Sequence, residues 1–197
     1  TLGEGWMWDD LLGSSSAPYG ALQFNENVLN IDVFPSRTEL QPAIVVVRPA
    51  TQAVRIFNDI RTVPAGSFTN LRFARDDVGT GIVIQGEIAA DSEGVSRTIA
   101  VHDPAEYFVG VLREVLREQG IFIEGQVFHH TELEPFDPTL YNAVPIFTHF
   151  SPPLREILPG MMKPSQNQLA ETMLITVGRE VRSEATADGG QAVVDSL

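Results

Sequence analysis

Between residues 28 and 101, short apolar stretches recur with turn-forming residues between them, and this rhythm restricts the chain to a sheet-rich fold. In residues 28–34, Leu29, Ile31 and Val33 fall on one face, while Val28, Asn30, Asp32 and Phe34 fall on the other. That is the period of two expected of a half-buried strand. Residues 43–47, 54–63, 68–73, 82–88 and 98–101 read as further strands. Between most of them lie turn signals: Pro35-Ser36, Arg48-Pro49, Pro64-Ala65-Gly66, Asp76-Asp77-Val78-Gly79 and residues 91–94. Sequential strands with short turns predict a largely antiparallel sheet.

A helix interrupts the strands. Asp103 is placed to cap it, Pro104 suits the first helical position, and Glu106 three residues on completes a capping box. Tyr107, Phe108, Val111, Leu112, Val115 and Leu116 then form one apolar stripe, and Gly120 supplies the stop. Residues 121–129 are rich in β-branched and aromatic types and predict a strand that rejoins the sheet. The Pro-, Glu- and Asp-rich residues 132–145 read as a connection between domains. Beyond it the pattern turns helical: residues 153–158, a second turn at 160–163, and a longer helix at 165–182 with Leu169, Met173, Leu174 and Val177 on one face. The fold class is therefore α+β. Residues 1–145 form a β-rich region with one packed helix, and residues 146–197 a helical part.

Charge and composition exclude several kinds of chemistry. Thirteen basic against twenty-six acidic residues give a net charge of −13, so the basic footprint that nucleic-acid binding requires is missing. Lys163 is the only lysine, and a functional amine has no other side chain to come from. There is no cysteine, which removes thiol catalysis and thiolate metal sites without deciding the compartment. The longest apolar run, residues 43–47, is far too short for a membrane span. Thr1 is not an initiator Met, and residues 192–197 read as a helix still in progress, so the chain reads as an internal piece of a longer protein. No signal segment is present, and in such a piece that says nothing about export.

The most informative stretch is Met161-Met162-Lys163-Pro164-Ser165-Gln166-Asn167-Gln168-Leu169-Ala170-Glu171. Pro164 disfavours helical geometry at Lys163, which predicts a new helix starting at Ser165 with that serine as its N-cap. A hydroxyl at 165 and a carboxamide at 167 would then share a helix start. By themselves they read as a cap and a solvated first-turn residue. Other candidates carry less. Asp9 and Asp10 are adjacent and point apart, His129 and His130 face opposite sides of a strand, and His102 and His149 stand alone, so no metal site or cofactor is indicated. Gly79-Thr80-Gly81 leads into a strand and is no phosphate loop.

That stretch resembles the Ser-x-Asn motif of the class C low-molecular-mass penicillin-binding proteins, the D-alanyl-D-alanine carboxypeptidase/endopeptidase family. Residues 151–158, Ser-Pro-Pro-Leu-Arg-Glu-Ile-Leu, are similar to the segment before it. Gly5-Trp6-Met7-Trp8-Asp9-Asp10, Ser16-Ala17-Pro18 and Asn25-Glu26-Asn27 resemble its Trp-x-Trp-x-Asp, Ala-Pro and Asn-x-Asn landmarks. Residues 61–67, Arg-Thr-Val-Pro-Ala-Gly-Ser, resemble its Arg-Thr-Leu-Pro-x-Gly turn, and residues 103–120 its helix before the catalytic domain resumes. The resemblance covers nearly the whole chain to about residue 182, and its strength lies in the order of the landmarks.

The resemblance implies a penicillin-binding, β-lactamase-like transpeptidase catalytic domain interrupted by an accessory region. Residues 1–145 would belong to the accessory region and 146–197 to the catalytic domain. It implies a serine peptidase of the periplasm or another extracytoplasmic space, acting on peptidoglycan stem peptides through an acyl-enzyme and inhibited by β-lactams. In it Ser165 relays a proton toward the departing D-alanine, Asn167 binds the substrate backbone, and Asp10 holds the amino end of a diaminoacid side chain. The chain departs from the family pattern in having neither Ser-x-x-Lys nor Lys-Thr-Gly. The nucleophile is therefore expected upstream of Thr1 and Lys-Thr-Gly downstream of Leu197, with these 197 residues inactive alone. The rivals are a non-catalytic cell-wall scaffold or partner-binding module on the same fold, and a β-lactamase, which should not carry such an insertion. Small residues around Ser15, where some relatives carry an aromatic, leave the side-chain preference open.

Overall fold

Leu29, Ile31 and Val33 are fully buried on one face of β1 (Val28–Phe34), and the rest of the fold is built around that face. The computed structural model describes residues 11–125 and 148–197. β1 is the centre of a three-stranded antiparallel sheet, between β2 (Ile44–Arg48) and β6 (Val95–Ala100). A second three-stranded sheet has β5 (Ile82–Ala89) at its centre, parallel to β3 (Ile56–Val63) and antiparallel to β4 (Asn70–Arg75). One apolar core joins the two sheets: Leu29, Ile31 and Val33 meet Ile60, Ile82, Ile84, Ile88 and Ile99. Each such side chain contributes about 1.5–3 kcal/mol on burial.

The strands lie where the sequence predicts them, within a few residues. Their assembly differs. There are two sheets, and β3 and β5 run parallel. Turn signals show where a strand ends but not which neighbour it takes. The central place in the second sheet goes to β5, which buries Ile82, Ile84, Ile88 and Ala89. Gly86 permits its close pairing with β4, since a Cβ there would lie 2.0 Å from the Asn70 carbonyl oxygen and its φ is +124°.

The polar face of β1 is also organised. The hydroxyl of Ser96 and the guanidinium of Arg48 both donate to the carboxylate of Asp32, linking β1 to both neighbours. The Ser96 hydrogen bond, reinforced by the Arg48 charge and opposed by partial desolvation, holds the Asp32 carboxyl below its usual range.

The α1 helix (Pro104–Glu118) has the expected cap and first-turn proline, with the Asp103 carboxylate accepting from the Glu106 N–H at 2.9 Å. Its Glu114 carboxylate accepts from the Thr51 hydroxyl and the Gln52 N–H, both at 2.7 Å, and fastens the loop before β3. The predicted apolar stripe is only partly covered. Tyr107 is buried against Phe24, with ring centroids 5.6 Å apart, while Leu112 and Val115 are exposed. The strand expected at residues 121–129 is not there in its described part. Residues 121–125 are irregular, and Ile121, Phe122 and Ile123 are exposed. β propensity alone supplied no partner strand. The remainder of that strand and the connection at 132–145 lie outside the described residues.

In the C-terminal part, α2 (Leu154–Met162) runs through Pro159 as one helix, where the sequence predicts two pieces. α3 (Asn167–Arg182) packs on α4 (Ala187–Val194). Their approach is so close that a Cβ on Gly190 would lie 2.1 Å from the Leu174 carbonyl oxygen. The α4 helix ends at Val194, where the sequence reads as helix continuing. No helix among the described residues is long and apolar enough to cross a membrane.

Two expectations concern stability. The Tyr107 hydroxyl is buried with no hydrogen-bond partner among the described residues, and burial, helped by the Glu114 charge, pushes its pKa up to about 12. An unpaired buried hydroxyl costs about 1–3 kcal/mol, so Tyr107→Phe should stabilise the fold by about 1–2 kcal/mol in denaturant unfolding. It should also remove the loss of stability that this phenol causes as pH rises above its ordinary value of 10. A destabilised Phe variant would refute this account. For Asp32 the sign is opposite: its contribution is present above the ordinary value of 3.8 and lost as pH falls through the lower folded value. Asp32→Asn should lower stability at neutral pH and flatten the acid limb of the stability profile.

Candidate functional site

The turn between α2 and α3 carries Ser165 and Asn167. The last turn of α2 continues past Met162: the Lys163 N–H donates to the Pro159 carbonyl at 3.2 Å, and Lys163 itself is right-handed helical despite the proline after it. The Gln166 N–H then closes on the Met161 carbonyl at 2.9 Å, with Ser165 between them at φ +58°. This is the six-to-one closure of a Schellman-type turn, with serine at the left-handed position that normally takes glycine. Two expectations are corrected. Proline's bias against helical geometry at the preceding residue is overcome by the last hydrogen bond of α2. Helix α3 starts at Asn167, and its cap is Gln166, whose Oε1 accepts from the Leu169 N–H at 2.6 Å. Ser165 is thereby freed from capping. Its hydroxyl and the Asn167 amide are both on exposed residues.

Across from this turn lies the segment that leads into β1. The Asn167 Nδ2 donates to the Ser15 carbonyl at 2.9 Å. An amide carries two N–H donors and an oxygen, so Asn167 keeps hydrogen-bonding capacity to spare. The Gln166 Nε2 donates to the Glu26 carboxylate at 3.3 Å and to the Gln168 Oε1 at 3.2 Å. The Gln23 Nε2 donates to the Thr172 hydroxyl on α3 at 3.0 Å, and the Thr172 hydroxyl donates to the Gln168 carbonyl at 2.7 Å. The sequence singled out Ser165, Asn167 and the Asn25-Glu26-Asn27 landmark but did not connect them. Nothing in a linear pattern signals a pairing between residues 140 positions apart.

Asp10, Trp6, Trp8, His129 and His130 lie outside the described residues. His102 and His149 are exposed, and the described residues hold no group of three potential metal ligands. The cavities described lie elsewhere. One of about 630 Å³ is bordered by Ala53, Gly110, Glu114 and Phe122, and one of about 280 Å³ by Arg55, His102, Asp103 and Tyr107.

The D-Ala-D-Ala carboxypeptidase 3 (S13) family matches this sequence over residues 1–197. The chain belongs to that family. It is similar to the D-alanyl-D-alanine carboxypeptidase of Actinomadura sp. (strain R39), at 29% identity over 98% of this chain and 36% of the relative. It also resembles the D-alanyl-D-alanine carboxypeptidase DacB of Haemophilus influenzae, at 24% identity over 89% of this chain and 35% of the relative. The chain thus spans about a third of the length of these S13 relatives. Its fold matches the crystal structure of penicillin binding protein 4 (dacB) from H. influenzae with a TM-score of 0.73 at 21% identity, over 98% of this chain and 42% of that one. A second structure of that protein, complexed with a β-lactam, matches with a TM-score of 0.62 at 18% identity, over 90% and 40% of the two chains. The α+β class and the likeness to a penicillin-binding fold follow from these matches.

The left-handed backbone at Ser165 costs about 1–2 kcal/mol for a residue bearing a Cβ. Glycine removes that cost and adds a smaller one in the unfolded chain. Ser165→Gly should therefore unfold at the same denaturant concentration as the parent or higher. A loss above about 1 kcal/mol would mean that the hydroxyl holds the turn together.

Proposed function

We propose that the protein is a serine-type D-Ala-D-Ala carboxypeptidase/endopeptidase acting on peptidoglycan stem peptides, in the periplasm or another extracytoplasmic space. Residues 1–145 then serve as an accessory region and residues 146–197 as part of the catalytic domain. The observation that carries this reading is Ser165, held left-handed beside Asn167 in a member of the S13 family. Strained backbone at a non-glycine residue is found disproportionately at functional sites, because a hydroxyl there is worth more than the stability it costs.

In the reaction a nucleophilic serine, supplied by Ser-x-x-Lys outside these residues, attacks the penultimate D-alanine carbonyl carbon. The new bond is between that carbon and the serine oxygen, and the bond to the terminal D-alanine nitrogen breaks. The attacking serine's hydroxyl proton passes to the lysine of Ser-x-x-Lys. Ser165 gives its own proton to the leaving nitrogen while taking one from that lysine, so D-alanine leaves as a neutral amine. Water then hydrolyses the acyl-enzyme. Asn167 hydrogen-bonds the substrate backbone near the reacting carbonyl, and Asp10 receives the amino end of a diaminoacid side chain. β-Lactams enter the same path and stop at the acyl-enzyme, in keeping with the β-lactam complex of the H. influenzae protein.

The test uses the complete protein and a fluorescent penicillin. The parent should be labelled, Ser165→Ala should be acylated about 10²-fold more slowly, and Asn167→Ala at least about tenfold more slowly. Parent-like acylation of both variants would refute the roles given to these residues. A parent that takes no label would favour a non-catalytic module.

A further inference from the structure

Four of the six left-handed non-glycine residues among the described residues lie in two turns that touch: Asn25, Glu26 and Asn27 in one, Ser165 in the other. The first turn is unusual, with three such residues in a row, at φ +49°, +53° and +55°. Its outer two members are asparagines, which tolerate this backbone and lock it with their own amides. The Asn25 Nδ2 donates to the Val28 carbonyl at 2.8 Å. The Asn27 Nδ2 donates to the Pro18 carbonyl at 2.8 Å, and its Oδ1 accepts from the Phe24 N–H at 3.2 Å. Asn27 is fully buried.

The middle member has no such local use. Glu26 is poorly suited to left-handed backbone, and glycine would serve that position at lower conformational cost. The hydrogen bond its carboxylate makes reaches out of the turn, to the Gln166 Nε2. Gln166 lies between Ser165 and Asn167, caps α3 through Leu169, and closes the turn on Met161.

We infer that Glu26 is a positioning residue: held rigidly by the Asn25–Asn27 turn, it fixes the Gln166 side chain and so sets the orientation of the Ser165 hydroxyl and the Asn167 amide. This inference rests on the enzymatic reading of Ser165 and Asn167. The Asn167 contact to the Ser15 carbonyl and the Gln23 contact to Thr172 brace the same interface on either side. The β1 sheet is therefore coupled to the Ser-x-Asn turn through the turn that starts β1. Glu26 does not touch the reacting atoms, and its contribution is geometric.

In the complete protein, acylation by fluorescent penicillin and melting temperature are measured for Glu26→Gly, Glu26→Asn and Glu26→Gln. Each is made in the parent and in a Gln166→Ala background. Glycine and asparagine both accept the left-handed backbone, but neither reaches Gln166. Both should slow acylation about three- to tenfold with melting temperature unchanged or raised. Glutamine keeps an accepting oxygen at the same reach and should acylate within about threefold of the parent. In the Gln166→Ala background, changing Glu26 should have no further effect. Parent-like rates in Glu26→Gly and Glu26→Asn overturn the inference, as does an equal loss in the Gln166→Ala background or a melting temperature that falls in step with the rate. A parent that takes no label overturns the enzymatic reading and this inference together. A labelled parent with unaffected Glu26 variants overturns this inference alone.

Discussion

Asn27 sits where four parts of the protein meet, and its amide and backbone hold them in register. The side chain bonds the Pro18 carbonyl and the Phe24 N–H, and the Asn27 carbonyl accepts from the Val101 N–H at 2.8 Å. The incoming segment, the left-handed turn, the start of β1 and the end of the sheet before α1 are thereby fastened at one buried point. A fully buried amide needs partners for its nitrogen and its oxygen, and here each has one. Few other side chains could do this: the position needs a donor, an acceptor and tolerance of φ near +55°.

Strain and packing are separated in this fold. The apolar core between the sheets uses regular strands, with isoleucine and valine in extended backbone where they are comfortable. Four of the six left-handed non-glycine residues among the described residues cluster instead where the N-terminal segment faces α3. The core and the close α3–α4 crossing at Gly178 and Gly190 supply the stability against which such local costs can be held. Ser165 and Glu26 are the two members whose side chains gain nothing local from their strained backbone, and they belong to the two turns that meet.

The regular elements were legible in the sequence because they depend on local periodicity. The alternation over residues 28–34 marks the full length of β1, and Asp103 with Pro104 marks the start of α1, since a cap and an N1 proline act within one turn. Sequence pattern and structure part where a local rule meets a tertiary one. Residues 121–125 have β-forming side chains and no strand to pair with. Pro159 and Pro164 look like helix breaks, yet α2 continues through the first and its last hydrogen bond reaches Lys163 before the second. A helix start was expected at Ser165, but it lies two residues later because Gln166 takes the cap.

By itself the sequence determined the strands, the capped helix, the apolar faces and the family landmarks, all of which are carried by residues near one another in the chain. The tertiary structure decided which strands pair, that β3 and β5 run parallel, and that Glu26 faces Gln166. Those choices depend on chain closure over tens to more than a hundred residues, where many partners satisfy the same periodicity. Only the packing of the whole core selects among them.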